Sequence, residues 1–134
     1  MKNQAGRTAA RSNKTIILRL GKGDKIVESL AEFCRRRRIR SAYISGLGSC
    51  RGAELGFFDW EKKKYRFRKF RGDYEIAALL GNVRLKEGRP FVHAHAVLSG
   101  PDFRAVAGHL KEAKVLALCE IALTNFKVSD QKKT

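Results

Sequence analysis

The chain has 134 residues, 43% of them hydrophobic, which is enough for one domain with a sizeable core. No apolar run approaches the roughly 20 residues needed to cross a bilayer, and the first residues lack the apolar core of a signal peptide, so we expect neither a membrane span nor Sec-type export. The net charge of +16, from 29 basic and 13 acidic residues, predicts attraction to polyanions, nucleic acid first and anionic membrane second.

Composition divides the chain into one globular segment and two polar ends. Residues 1–14 are basic and aperiodic, which is typical of a flexible tail, and residues 127–134 form a second polar tail. Residues 15–126 carry the apolar patterns of a single domain. The basic tail could follow a phosphate backbone or could only increase solubility.

A short strand and an amphipathic helix are predicted first. Apolar residues alternate over Thr15–Leu20, which predicts a strand, and Asp24 follows a glycine-rich turn as a good N-cap. From Lys25 to about Arg37, apolar residues recur at helical spacing. This pattern predicts a helix that packs on a sheet.

A run of arginines ends this helix. Cations at that position complement the carbonyl end of the helix dipole, but five arginines in six positions exceed that need. We therefore predict a patch that contacts phosphate groups, with a merely solvated helix end as the alternative. Its residues are Arg35, Arg36, Arg37, Arg38 and Arg40.

The next segment has the pattern of paired strands. Ser41–Gly46 and Arg51–Asp59 read as strands, and Gly46 and Gly48 predict a bulge or a tight corner between them. After a charged hairpin tip, aromatic and basic residues interleave over Tyr65–Arg71. Such a strand can stack the bases of single-stranded nucleic acid, but a half-buried edge strand is the favoured interpretation.

A long apolar segment follows a predicted turn at Gly72–Asp73. Tyr74–Val83 lacks clear alternation, which predicts a strand buried on both faces, at the sheet centre or in a subunit contact. Glu75 within it needs a partner if it is buried. Lys111–Val115 is expected to be a short connection before the final strand.

All three histidines fall within one predicted hairpin. His93 and His95 are two residues apart and share a strand face, and a loop over Ser99–Phe103 would place His109 opposite His93. Three imidazoles on one face predict a site for Zn²⁺ or a similar metal. A register change of one residue would move His109 to the other face and remove the site. Gly108 beside it indicates a close approach to the backbone.

The three cysteines are widely spaced and form no Cys-x-x-Cys pair. Cys34, Cys50 and Cys119 each lie within an apolar pattern, so we expect buried, reduced thiols in a cytosolic protein. A thiolate ligand beside the histidines is the alternative.

Several short motifs occur in an order that resembles one family. They are Ile44–Gly48, Ala53–Asp59, Tyr74–Ile76 with Gly81-Asn82, His93-x-His95, and Gly108–Leu110. Together they resemble the plant-and-prokaryote-conserved (PPC) domain over roughly residues 15–126. The chain looks like the stand-alone prokaryotic type, because it lacks the AT-hooks that precede the domain in nuclear plant proteins.

The resemblance implies an α/β fold of the α+β type, with a mainly antiparallel β-sheet and packed helices in a single domain. It also implies a homotrimer, and a metal site, usually zinc, at the matching residues His93, His95 and His109. DNA is the partner that the family resemblance and the charge favour, which implies a cytoplasmic protein located at the nucleoid and not bound to membrane.

Two principal functions agree with these features. The leading hypothesis is a homotrimeric DNA-associated protein, nucleoid-associated or regulatory, that binds through the arginine run, the basic tail and the additional residues Arg66, Arg68 and Arg71, with trimerisation adding avidity. The alternative is a metal-dependent, hydrolase-like enzyme of unknown substrate, with Glu75 as candidate general base, or a sensor of metal or a small ligand. An accessible coordination position in a pocket would favour catalysis.

Overall fold

A computed structural model describes residues 15–126, and both predicted tails lie outside these described residues. The elements in chain order are β1 (Thr15–Gly21), α1 (Ile26–Arg37), β2 (Ala42–Asp59), β3 (Lys64–Lys86), β4 (Arg89–Ser99) and β5 (Ala105–Asn125).

The five strands form one antiparallel sheet in the order β1-β5-β2-β3-β4. β5 is long enough to pair with β2 and β1 and, through its first residues, with β4. This additional pairing links the two ends of the β5-β2-β3-β4 series, so these four strands close on themselves. The closure brings the two strands that carry the histidines side by side.

The core lies between α1 and the inner face of the sheet. α1 contributes Ile26, Leu30 and Cys34, which are fully buried against β4 and β5. On β2, Ala42 and Ile44 point inward and Tyr43 points out. This one helix covers the sheet, whereas several packed helices were predicted, because most of the domain's core is built from the closed strands.

The helix starts differently from the prediction. Lys25 occupies the N-cap position without a side-chain cap, and the Asp24 carboxylate accepts a hydrogen bond from the Gly21 backbone N–H instead. The carboxylate of Glu112, on β5, accepts from the backbone N–H groups of Val27 (2.8 Å) and Glu28 (3.1 Å). A residue distant in sequence therefore accepts the hydrogen bonds of the free N–H groups in the first turn of α1, which local sequence cannot reveal.

Two predicted interruptions are absent, because the strands continue through them. Gly72 lies within β3 at a φ of 102°, and Lys111–Val115 lies within β5. The predicted irregularity at Gly46–Gly48 is confirmed as a register shift inside a single long β2. Bulges therefore bend these strands where turns were expected.

The predicted two-sided burial of Tyr74–Val83 is wrong for the single chain. Ile76, Leu79 and Val83 are buried, whereas Leu80 is 48% exposed on the opposite side. That side, which we call the outer face, includes the exposed apolar residues Tyr43, Leu47, Leu80 and Val97.

No helix among residues 15–126 is long and apolar enough to span a membrane.

Candidate metal centre and basic surfaces

The structure brings His93, His95 and His109 together on the outer face. His109 lies directly across from His95 in the β4–β5 ladder, two residues away from the predicted pairing with His93. Because the offset is two residues, all three side chains still share one face.

The histidine cluster is compact. One nitrogen from each ring lies within 4.8 Å of the others, and the ring centroids are 5.4–5.8 Å apart. His95 is exposed, whereas His109 is half-buried. The cluster therefore has one wall in the protein and one side open to solvent.

His109 is held in the neutral form that ligates metals. Burial, followed by the charges of His93 and His95, lowers the pKa of His109 below its ordinary 6.5. Its Nδ1 atom is buried without a hydrogen-bond partner in the described structure. An unpaired nitrogen on the His109 imidazole, beside two further imidazoles, fits a transition-metal ion.

An aromatic pair forms the protein wall beside His109. The Tyr65 ring lies 4.7 Å from the imidazole and stacks on Phe67 at 5.4 Å. These rings pack over Gly56, where an added Cβ would lie 2.8 Å from the Phe67 ring. A Cβ at Gly108 would lie 2.9 Å from the Gly56 carbonyl oxygen, so the expected close approach is made by a neighbouring strand.

The other candidate ligands and the candidate base lie away from the cluster. Glu75 pairs with Ser99, four residues beyond His95 along β4, which corresponds to about 13 Å. Asn82, the cross-strand partner of His93, is the nearer polar residue on that face. The cysteines are buried, free thiols, as predicted, and are not in the cluster. Burial raises the pKa of each thiol to about 11.

The arginine run is exposed but is not uniform. Arg35 and Arg36 donate hydrogen bonds to the Glu32 carboxylate at 2.7 and 3.1 Å, which lower the pKa of Glu32 to about 2. Arg37 lies over the Phe33 ring, and Arg38 ends α1 in a left-handed conformation. Two of the five cations are therefore already paired.

A groove of about 1030 Å³ runs beside these arginines. Its charged lining residues are Arg35, Arg36 and Arg37 on α1, Arg89 at the start of β4, and the carboxylates Glu28 and Glu32 of α1. Sequence reasoning did not assign Arg89 to a phosphate contact, because only the fold brings the start of β4 beside the helix.

The second set of predicted cations lies on the β2–β3 hairpin, not in this groove. Arg66 and Arg68 lie over the rings of Phe57 and Phe70 at 5.8 and 4.8 Å. Tyr65–Lys69 pairs only with β2, so it is an edge as predicted, but it is exposed along its whole length where half-burial was expected.

A closed antiparallel sheet with one covering helix and a histidine cluster on its outer face defines a small α+β domain class. The family model of the Plants and Prokaryotes Conserved (PCC) domain matches residues 7–127. The chain belongs to this family, which confirms the resemblance predicted from its motifs. No functionally curated protein matches the chain.

Solved structures support the same assignment. A PPC protein from Pyrococcus horikoshii is 36% identical, with a TM-score of 0.84, over 88% of this chain and 82% of that one. A metal-containing protein from Archaeoglobus fulgidus is 38% identical, with a TM-score of 0.79, over 84% and 79%. A putative DNA-binding protein from Bacteroides thetaiotaomicron is 29% identical, with a TM-score of 0.82, over 87% and 85%.

Proposed function

We propose that this chain is a homotrimeric, DNA-associated protein of the cytoplasm, nucleoid-associated or regulatory, that holds a divalent transition metal such as zinc at its three histidines. Family membership and the DNA-binding and metal-containing neighbours support this proposal. The arginine groove and the histidine cluster lie in different parts of the molecule, whereas the apolar residues that support the homotrimer share the outer face with the histidines, with Leu80 directly across from His95.

One observation carries the DNA part: unpaired cations from two elements converge on one groove. Arg37 on α1 and Arg89 at the start of β4 line the groove, and neither has a carboxylate partner within residues 15–126. Arg38 and Arg40, just beyond the helix, are exposed and likewise unpaired within that range. Such side chains neutralise phosphates and release counterions without reading sequence.

His93, His95 and His109 would hold the metal. A bound Zn²⁺ would supply either a cross-link between β4 and β5 or a Lewis acid that lowers the pKa of a bound water to about 7. The Tyr65 ring and the half-buried position of His109 orient one ligand, and the exposed edge of His95 leaves the cluster open to solvent.

The apolar outer face supports the homotrimer. Tyr43, Leu47 and Leu80 are each about half exposed, at 51, 57 and 48%, in one continuous region of the sheet. A second copy would remove this apolar area from water. Light scattering should give three chains per particle, and Leu47→Glu should dissociate them, whereas Leu85→Glu on the other face should not.

DNA binding is tested with a charge-matched pair of variants. R37Q/R38N/R40Q removes three unpaired cations at the end of α1, one of which lines the groove, and K62Q/K63N/K64Q removes three from the β2–β3 hairpin tip. Each variant places Asn at the residue with a left-handed backbone, Arg38 or Lys63. Fluorescence anisotropy with duplex DNA is measured across a range of salt concentrations.

The arginine variant should weaken binding equally for unrelated sequences and should flatten the salt slope by about 0.9 for each phosphate that is no longer neutralised. The lysine variant should change the slope much less. Equal decreases in affinity for the two variants would show that binding follows net charge alone and would contradict a specific groove. Replacing Arg35 to Arg38 with Gln should also weaken binding.

A metal-dependent enzyme is the second candidate, because the exposed edge of His95 leaves a coordination position accessible to substrate. The distance of Glu75 from the cluster means that it cannot take a proton there directly in this conformation. If the enzyme hypothesis is correct, hydrolysis of an activated ester by the zinc-loaded protein should depend on Asn82 more than on Glu75. Equal activity of the zinc-loaded and metal-free proteins would exclude it.

A further inference from the structure

A second concave site lies beside the first turn of α1, apart from the histidines and the arginine groove. Its volume is about 280 Å³, just below the roughly 300 Å³ at which pockets for drug-sized molecules begin. We call it the cationic pocket. Its lining comes from four parts of the fold: Lys25, Arg51–Glu54 of β2, Lys69–Arg71 of β3, and Glu112–Lys114 of β5.

A bulge in β2 creates the recess. The pairing with β5 moves from Cys50–Val115 to Ala53–Ala113, so β2 carries an extra residue there. Gly52, in the bulge, has a φ of +77° and no other residue within 4 Å of its Cβ position. The space above it is therefore open.

Backbone hydrogen bonds hold the wall of the pocket in place. The N–H of Gly23 donates to the carbonyl of Val115, and the N–H of Val115 donates to the carbonyl of Asp24, both at 2.9 Å. These bonds fix the segment before α1 onto β5. The pocket is thus formed before any ligand arrives, which lowers the entropy cost of binding.

The charges of the pocket are unbalanced. Five cationic and two acidic side chains line it, and both acids are already engaged. Glu112 accepts hydrogen bonds from the backbone of α1, and Glu54 lies 3.9 Å from Lys111 outside the pocket. Among the cations, Arg51 forms a two-bond pair with Asp73.

Four cations remain without a carboxylate partner within residues 15–126: Lys25, Lys69, Arg71 and Lys114. All four are exposed and come from three separate segments. Their convergence on a preformed recess favours a multiply charged anion such as a phosphate group.

The inner part of the pocket is apolar. Ala53 and Ala113 are buried at 7 and 3% exposure, and Phe70 is half-buried beside them. Inorganic phosphate would leave this apolar surface without a partner. A ligand that fits both parts has a charged end and a flat, apolar body.

We propose that the cationic pocket binds a small phosphorylated molecule of mononucleotide size, with its phosphate at Lys69, Arg71 and Lys114 and its flat body against the apolar surface of Ala53, Ala113 and Phe70. The site is independent of the metal and of the groove that we assign to duplex DNA. A ligand here would allow the protein to respond to a soluble phosphorylated metabolite.

Calorimetry of the full-length protein with adenosine monophosphate as probe tests the proposal, at about 0.15 M salt to screen weak surface contacts. The nucleotide should bind, and both adenosine and inorganic phosphate should bind at least about tenfold more weakly, because each lacks one half of the recognised chemistry. No binding of the nucleotide at millimolar concentration, or equal binding of phosphate, would overturn the proposal.

Variants separate the pocket from general charge. K69Q/K114Q should lose about tenfold or more in nucleotide affinity, F70L a smaller factor, and the charge-matched control K62Q/K64Q should keep it. R37Q/R38N/R40Q should keep nucleotide binding while losing duplex binding, so the two proposals can fail separately. Equal decreases in affinity for K69Q/K114Q and K62Q/K64Q, or displacement of the nucleotide by duplex DNA, would overturn the inference.

Discussion

The histidine cluster and the arginine groove represent two ways in which one small domain presents charge and metal-binding groups. The histidines are short side chains on two paired strands, and the ladder that joins His95 to His109 sets their separation. The arginines are long side chains at a helix end, and two of them are already paired with Glu32.

The difference between the regions lies in how the backbone limits each site. A ladder of hydrogen bonds permits only shifts of whole residues, so the cluster is either complete or absent. An exposed arginine can move by several ångströms and still contact a phosphate. Duplex affinity should therefore fall gradually, in proportion to the number of positive charges removed from the groove.

The largest expected effect is the loss of metal from single histidine variants. Replacing any one of His93, His95 or His109 with Ala should lower zinc affinity by more than about 100-fold, beyond the loss typical of changing a residue that only positions a ligand. Zinc content of the folded protein is measured by mass spectrometry. Ala at Cys50 or Cys119 should leave the content unchanged. Full zinc content in an Ala variant of His109 would contradict the site.

The next effect comes from the backbone that supports the cluster. A Cβ at Gly81 would lie 2.0 Å from the His93 carbonyl oxygen, so Gly81→Ala must separate β3 from β4. We expect a loss of about 3 kcal/mol or more in the free energy of unfolding, together with weaker zinc binding. The control is Gly21→Ala, where no atom lies within 4 Å and the change should stay within about 0.5 kcal/mol. Similar urea midpoints for both variants would contradict the close packing.

A smaller effect is expected from pH on the metal-free protein. Because the pKa of folded His109 lies below 6.5, the unfolded chain binds more protons as pH falls through 6.5. The free energy of unfolding should therefore decrease from pH 7.5 towards the folded pKa, and His109→Asn should reduce that decrease. Zinc affinity should fall over the same window, because protons compete for the imidazoles. A flat stability profile in chelator would contradict the lowered pKa.

The smallest effect should come from Glu32→Gln. This variant tests whether duplex affinity changes gradually with the charge of the groove. Glu32→Gln frees Arg35 and Arg36, so duplex affinity should rise modestly and the salt slope should steepen by no more than about 2. Glu61→Gln at the hairpin tip is the charge-matched control and should change the slope less. Anisotropy titrations compare the two. A reduced affinity for Glu32→Gln would mean that this carboxylate positions the arginines.

Sequence patterns predicted correctly those features of the fold that depend on a local period or spacing. The spacing of His93 and His95 put them on one strand face, and helical spacing located α1 almost to the residue. The burial of the three cysteines also followed from their apolar surroundings. Each of these depends on neighbours within a few residues, which the sequence contains directly.

Tertiary structure decided what depends on distant pairing. Which histidine faces His109, the cap that Glu112 provides to α1, and the place of Arg89 beside the arginine run all result from strands that meet far apart in sequence. A bulge and a turn carry the same glycine signal, so Gly72 was misassigned until the neighbouring strands were known. The sequence by itself determined which residues are available for chemistry, whereas the closure of the sheet determined which of them meet, because cross-strand register is a property of two segments and not of either one.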